Sequence, residues 1–153
     1  SPGWSPADRH LDVSGNWRGQ HEYDQDIGIL DLATGKVLNL MPTPDRTWTE
    51  AVHSHPRSGR LFYMSSEGYV INYDDKKWWE WLKTDYWMIQ PDGTNRQRIT
   101  FFNKPGHPEY NGDIVNVAQF SWNPQADKFC GVLNRTPPGR KGHLEIWVFE
   151  FEE

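Results

Sequence analysis

Short apolar runs recur along the chain, broken by turn residues every few positions. Tyr86 to Ile89 is one such run, followed by Pro91-Asp92-Gly93 and then by a second run, Gln97 to Phe102. Tyr, Trp, Ile, Thr and Phe suit a pleated, half-buried surface, and an Asp-Gly pair supplies the positive φ of a hairpin turn. The stretch therefore predicts strand, tight turn, strand. The same order appears in Ile27 to Met41, where Ala33-Thr34-Gly35 separates two apolar runs. It begins again at Leu144 to Phe151, which predicts a first strand without its partner.

A second pattern precedes each of these hairpins. Gly3-Trp4-Ser5-Pro6, Val52 to Pro56 and Phe120 to Pro124 each end an apolar run on a proline turn. Polar residues follow each turn; after the second and third prolines these lead into the strands Leu61 to Ser66 and Phe129 to Asn134. Aligning Pro6, Pro56 and Pro124 gives spacings of 50 and 68 residues. The common unit is strand, proline turn, strand, variable loop, strand, glycine turn, strand. Four antiparallel strands repeated at this length are the unit of a β-propeller. A β-sandwich also has many short strands, but it does not explain the same turn chemistry recurring in the same order. The expected fold is all-β, a partial propeller spanning residues 1–153 as a single segment, with blades near 1–46, 47–103 and 114–153.

Composition sharpens this picture. Mean hydropathy is −0.83, low for a core, yet aromatics make up 14% of the chain and include 9 Trp, each of which buries a large area. With 13 Gly and 11 Pro, long helices are not expected. A net charge of −5 argues against a nucleic acid as the main partner. No stretch approaches the length of a membrane span. Cys130, alone of its kind and set in the apolar run Phe129 to Leu133, is expected to be a buried core thiol.

The repeats resemble those of TolB-like propellers, in which W-S-P is followed by a strand, then I-W-V-M, D-G and L-T. Trp4-Ser5-Pro6, Trp122-Asn123-Pro124, Trp87-Met88-Ile89, Asp92-Gly93-Thr94, Ile99-Thr100 and Ile146-Trp147-Val148 carry the resemblance. It implies a ring of six or seven blades and a periplasmic or extracellular location, and says little about function. Three repeats are about half of such a ring, and the third lacks its outer strand after Glu153. An isolated arc would leave apolar blade faces bare. The expectation is a fragment of a longer propeller, or a homodimer closing a six-bladed ring.

Candidate chemistry lies in the inserts between the second and third strands, Asn16 to Asp26, Gly68 to Asp85 and Thr136 to His143, because such loops build binding rims. Trp78, Trp79 and Trp81 offer aromatic faces for sugar rings or a protein partner, or else plug the side of a blade. Trp17 and His21, with Arg18, Glu22, Asp24 and Asp26, form an insert expected to be a solvated acidic loop that nevertheless offers binding groups. Asp92-Gly93 reads as a turn, since the calcium-loop spacing is absent. His53 and His55, two apart on a strand, face the same way and are candidate ligands for a divalent metal, Mn or Zn. Glu50 has the opposite parity and needs a bend to join them. Locally this is similar to the Q-x-x-H-x-H-P motif of the oligogalacturonate lyase family, with Glu50 in place of Gln. That resemblance implies a Mn²⁺ site; the family's further metal-ligating His and its catalytic His and Arg come from other blades and do not map residue by residue here, His21 and Arg18 being the nearest by residue type. The favoured function is a non-catalytic scaffold for a protein or carbohydrate ligand; the alternative is a metal-dependent polysaccharide lyase or hydrolase of which this chain is part. A third reading gives the segment no function without further blades.

Overall fold

The computed structural model describes residues 3–5 and 8–151. The proline of the first turn, Pro6, and the two residues after Phe151 lie outside them. The chain is all-β and forms three antiparallel sheets in which each strand lies beside its neighbour in sequence. The first sheet is β1 (Gly3–Trp4), β2 (His10–Gly15), β3 (Asp26–Asp31) and β4 (Val37–Met41). The middle sheet is β5 (Thr49–Ser54), β6 (Leu61–Ser65), β7 (Asp85–Ile89) and β8 (Gln97–Arg98). The last has three strands, β9 (Ile114–Trp122), β10 (Lys128–Thr136) and β11 (His143–Glu150). The three sheets span residues 3–41, 49–98 and 114–150.

The middle sheet packs on both neighbours, through β5 against β1, β2 and β3 and through β5 and β7 against β9. Alternation along its strands sorts side chains between two cores. Val52, Leu61, Tyr63, Trp87 and Ile89 face the first sheet and meet Ile27 and Met41. Ala51, Phe62, Met64, Tyr86, Met88 and Phe102 face the last sheet and meet Val115, Val117, Phe120, Phe129 and Leu133. Aromatic rings meet edge to face in this second core, with Tyr86 5.3 Å from Phe129 and Phe62 4.8 Å from Trp122.

Two details differ from the sequence expectation. The strand expected over Gln97 to Phe102 pairs only at Gln97–Arg98, because Ile99 and Thr100 both turn their N–H groups onto the Tyr86 carbonyl and the chain then leaves the sheet. Cys130 is exposed, not buried. In β10 the buried positions are Phe129, Gly131, Leu133 and Arg135, so the parity that seats Phe129 in the core turns Cys130 outward. Its neighbours across the sheet, Ser121 and Val148, lie on that same uncovered face.

Buried carboxylates fasten the first two inserts to their sheets. Asp26, at the start of β3, accepts hydrogen bonds from the Arg18 guanidinium, the Asn39 amide (2.8 Å) and the Thr43 N–H (2.9 Å). Burial would raise its pKa, but the Arg18 ion pair and these bonds outweigh that and hold it below the usual carboxylate range. Asp85 has the same place at the start of β7. It accepts from the Tyr69 hydroxyl at 2.6 Å, the Thr100 hydroxyl at 3.1 Å and the Phe102 N–H at 3.0 Å, with Arg98 3.6 Å away. Here burial wins and pushes the carboxyl up to about 6, although the Tyr69 bond, the Arg98 charge and the Thr100 bond pull it down.

Two predictions follow from these contacts. Gly131 is the floor under the Tyr86 ring, and a Cβ there would lie 2.4 Å from the Tyr86 hydroxyl oxygen. Gly131→Ala should destabilise the fold by about 1–3 kcal/mol, measured by denaturant unfolding; an unchanged midpoint would contradict the packing described. For Asp85, a folded pKa near 6 against an unfolded value of about 4 means that the folded state holds the proton more tightly. Stability from this group is therefore lost as pH rises from about 4 through about 6 and regained on acidification. From pH 7 to pH 5 the wild type should gain unfolding free energy relative to Asp85→Asn, whose amide does not titrate. Parallel pH profiles of the two proteins would refute it.

Candidate functional site

The longest insert runs from β6 to β7 and sets the site. It leaves the sheet through successive turns, Tyr69 N–H to Ser66 carbonyl, Asp75 to Asn72 and Trp78 to Asp75, then forms a single 3₁₀ turn over Trp78–Trp81. Trp78 is half-buried and anchors that turn, with ring centres 5.1 Å from Tyr23, 5.2 Å from Trp48 and 5.3 Å from Tyr73. After the turn, Leu82 is buried and Thr84 fastens the chain to the free edge of β9. Its N–H donates to the Val115 carbonyl (3.1 Å) and its hydroxyl to the Val117 carbonyl (3.0 Å).

Held at both ends, the 3₁₀ turn projects Trp79 and Trp81, which are 57% and 61% exposed. Both line an open cleft of about 810 Å³ between this turn and the last sheet. Ile114, Asn116, Asn134 and Thr136 form its floor, and the β10–β11 loop from Pro137 to Gly142 forms the far wall. That wall carries Arg140 and Lys141, and among the described residues neither makes an ion pair. Glu80 also lines the cleft, between the two indoles, and is paired with Lys77 at 3.4 Å. The cleft thus sets two aromatic faces opposite two cations, over amide and hydroxyl groups.

The remaining candidates go elsewhere. Trp17 lies against Gly15 and Gly28 and covers the outer face of the first sheet. His21 stacks on Tyr73 with centres 4.7 Å apart, and Tyr73 donates to Asp24 at 2.8 Å, so the first two inserts interlock. The Asn16 to Asp26 loop is consequently not simply solvated: Asp24 and Asp26 are both buried, held by Tyr73 and Arg18. His21 and Arg18 do not share a site with His53 of β5 and His55 just after it. Arg18 is committed to Asp26 and reaches the Thr43 carbonyl at 3.3 Å.

The expected bend beside Glu50 exists. The register of β5 slips between Glu50 and His53, with Ala51 at φ 52°, so Glu50 opposite Met64 and His53 opposite Phe62 share a face. His55 lies on that face too, edge-on to Trp122 at 4.6 Å. Its ring, however, is used up inside the protein. One nitrogen meets the Ala126 carbonyl at 2.7 Å, and Nδ1 accepts the Ser58 N–H at 3.0 Å, which fixes the tautomer with Nε2–H donating. His53 is packed edge-on to Phe120, burial lowers its pKa, and Glu50 accepts from the Trp48 indole at 3.2 Å. His55 has no lone pair left for a metal, so this set does not fit a shared ion. Among the described residues no three His, Cys, Asp or Glu side chains converge in a metal-binding arrangement.

No family model and no curated protein matches the chain. The site therefore rests on its own geometry. Sequence reasoning picked out Trp79 and Trp81 and the Thr136 to His143 loop, but not that the two would face each other. Asn116 and Asn134 carried no signal, since each is one polar position in an alternating strand. The structure divides the three tryptophans of the insert by role. Trp78→Ala should cost about 2–4 kcal/mol of stability, whereas Trp79→Ala and Trp81→Ala should stay within about 0.5 kcal/mol of wild type. Thermal or denaturant unfolding of the three variants checks the division; equal losses would refute it.

Proposed function

We propose that the three sheets are consecutive blades of a TolB-like β-propeller and that the chain is a non-catalytic binding scaffold for a glycan. The observation that carries this reading is the cleft itself, where Trp79 and Trp81 stand exposed on a pinned 3₁₀ turn across from Arg140 and Lys141. Indole faces stack on the C–H faces of sugar rings, and the amides of Asn116 and Asn134 match hydroxyl groups in hydrogen-bonding capacity. The cationic wall suits acidic substituents on such a chain. The engagement of His55 in the β5–β6 turn and of Asp26 and Asp85 at the insert ends in holding the fold supports a non-catalytic role. A periplasmic or extracellular location, implied by the resemblance, fits such a ligand.

Titration with a uronic-acid oligosaccharide and its neutral counterpart, followed by calorimetry and tryptophan fluorescence, tests the proposal. The acidic chain should bind more tightly, with an affinity that falls as salt rises. Trp79→Ala or Trp81→Ala should weaken binding by about 10- to 100-fold, and Arg140→Ala with Lys141→Ala should erase the preference for the acidic chain. No saturable binding of either saccharide would overturn the reading.

A further inference from the structure

The cleft does not end at Trp81. Beside it, and sharing Trp81 and Ile114 with it, lies a second hollow of about 410 Å³. Its other lining residues are Gly68, Tyr69, Val70 and Lys83, all from the insert between β6 and β7. The insert holds them firmly. Tyr69 is tied through its N–H to the Ser66 carbonyl at 2.9 Å and through its hydroxyl to Asp85 at 2.6 Å. The Arg98 guanidinium lies 5.1 Å over the Tyr69 ring, and a Cβ on Gly68 would stand 2.8 Å from it. Between Tyr69 and the buried Ile71, Val70 is 95% exposed, so its isopropyl group is held out at the rim of the hollow. Lys83 stands in the same way between the buried Leu82 and the pinned Thr84. It is half-buried, and among the described residues it makes no ion pair.

We infer, on the glycan reading above, that this hollow is a further subsite of the same site. The ligand is then a linear run of several acidic sugar units, with Trp81 beneath its middle. The argument is one of charge. A lysine rests its stem on apolar surface and carries its ammonium outward; here the ammonium belongs to a hollow with no acidic residue on its walls. Arg140 and Lys141 line the first lobe and Lys83 the second, and Trp81 and Ile114 are common to both. Anions are therefore wanted in both lobes. A ligand with a single acidic group satisfies one lobe; a chain with acid on successive units satisfies both. Trp81 supplies a stacking face at the junction, and Val70 an apolar edge for the C–H groups of the next ring. The Tyr69 hydroxyl is already spent on Asp85, so in the second lobe the charge of Lys83 does the selecting.

A length series of one uronic-acid oligosaccharide, from dimer to hexamer, titrated calorimetrically into the whole chain tests this. Affinity should rise by about 10-fold or more from dimer to hexamer. Lys83→Ala should remove that gain and leave dimer binding as it is, whereas Lys83→Arg, which keeps the charge, should retain most of it. Both variants should keep the wild-type unfolding midpoint, since Lys83 holds no other part of the fold. The hexamer, but not the dimer, should also shield the Lys83 amine from an acylating reagent, read by peptide mass. A dimer that binds as tightly as the hexamer overturns the second lobe and leaves the glycan reading standing. A length gain that survives Lys83→Ala, with Lys83 still acylated in the complex, overturns it too. Absence of binding at every length overturns both readings together.

Discussion

Strands β6 and β7 are buried at every position on both faces, and the rest of the structure depends on that. A sheet covered on one side only needs alternating apolar and polar residues; one covered on both sides needs an apolar residue at every place. Leu61 to Met64 and Tyr86 to Ile89 meet that demand, sending Leu61, Tyr63, Trp87 and Ile89 one way and Phe62, Met64, Tyr86 and Met88 the other. The outer sheets do not form cores by themselves. Each supplies one apolar face, and the middle sheet makes both into interior. Because β6 and β7 are fixed from both sides, the insert between them starts and ends on a rigid base, which is what lets a single 3₁₀ turn hold two indoles out into solvent.

Polar groups finish what apolar burial begins. Asp26 and Asp85 hold equivalent positions at the head of the third strand, and each gathers backbone and side-chain donors from the segment that follows the fourth. Asp12, buried in β2, reaches across to the Ser54 N–H at 2.6 Å and so joins the first sheet to the middle one. The last sheet departs from this rule. His143 stands where an aspartate would, and the charge is rebuilt from Arg135, which pairs with Glu145 at 3.1 Å and Asp113 at 3.3 Å. A buried ion pair is costly to break by removing one partner, so these clusters favour one arrangement of inserts over others.

The chain order of strands, the second and third proline turns, the glycine turns after β3 and β7 and the inserts between strands were legible in the residues, because turn chemistry and alternation are local. What was not legible depends on distance in sequence. Cys130 sits in an apolar run and looks buried, but only the register of β10 against β9 and β11 decides which way it turns. His53 and His55 have the spacing of a ligand pair; the Ala126 carbonyl that occupies His55 arrives from a turn far along the chain. Tyr23, Trp48, Tyr73 and Trp78 come from separate segments, and no single stretch hints that they meet. The cleft is legible in halves only, one half in the tryptophan insert and the other in the β10–β11 loop.

Within each sheet every strand pairs with its neighbour in sequence, and among the described residues the main contacts between sheets join each sheet to the next one along. Such an array has no long threading step: paired strands are consecutive in the chain, and even the longest connection, from Ser65 to Asp85, adds little closure entropy because that cost grows only slowly with loop length. Cooperativity then passes from sheet to sheet through shared faces, as in repeat proteins, instead of through one central core. The middle sheet is coupled through both faces and each outer sheet through one, so local opening is expected to favour the outer sheets. Amide protons of β6 and β7, buried at every position, are expected to exchange more slowly than those of the exposed β11.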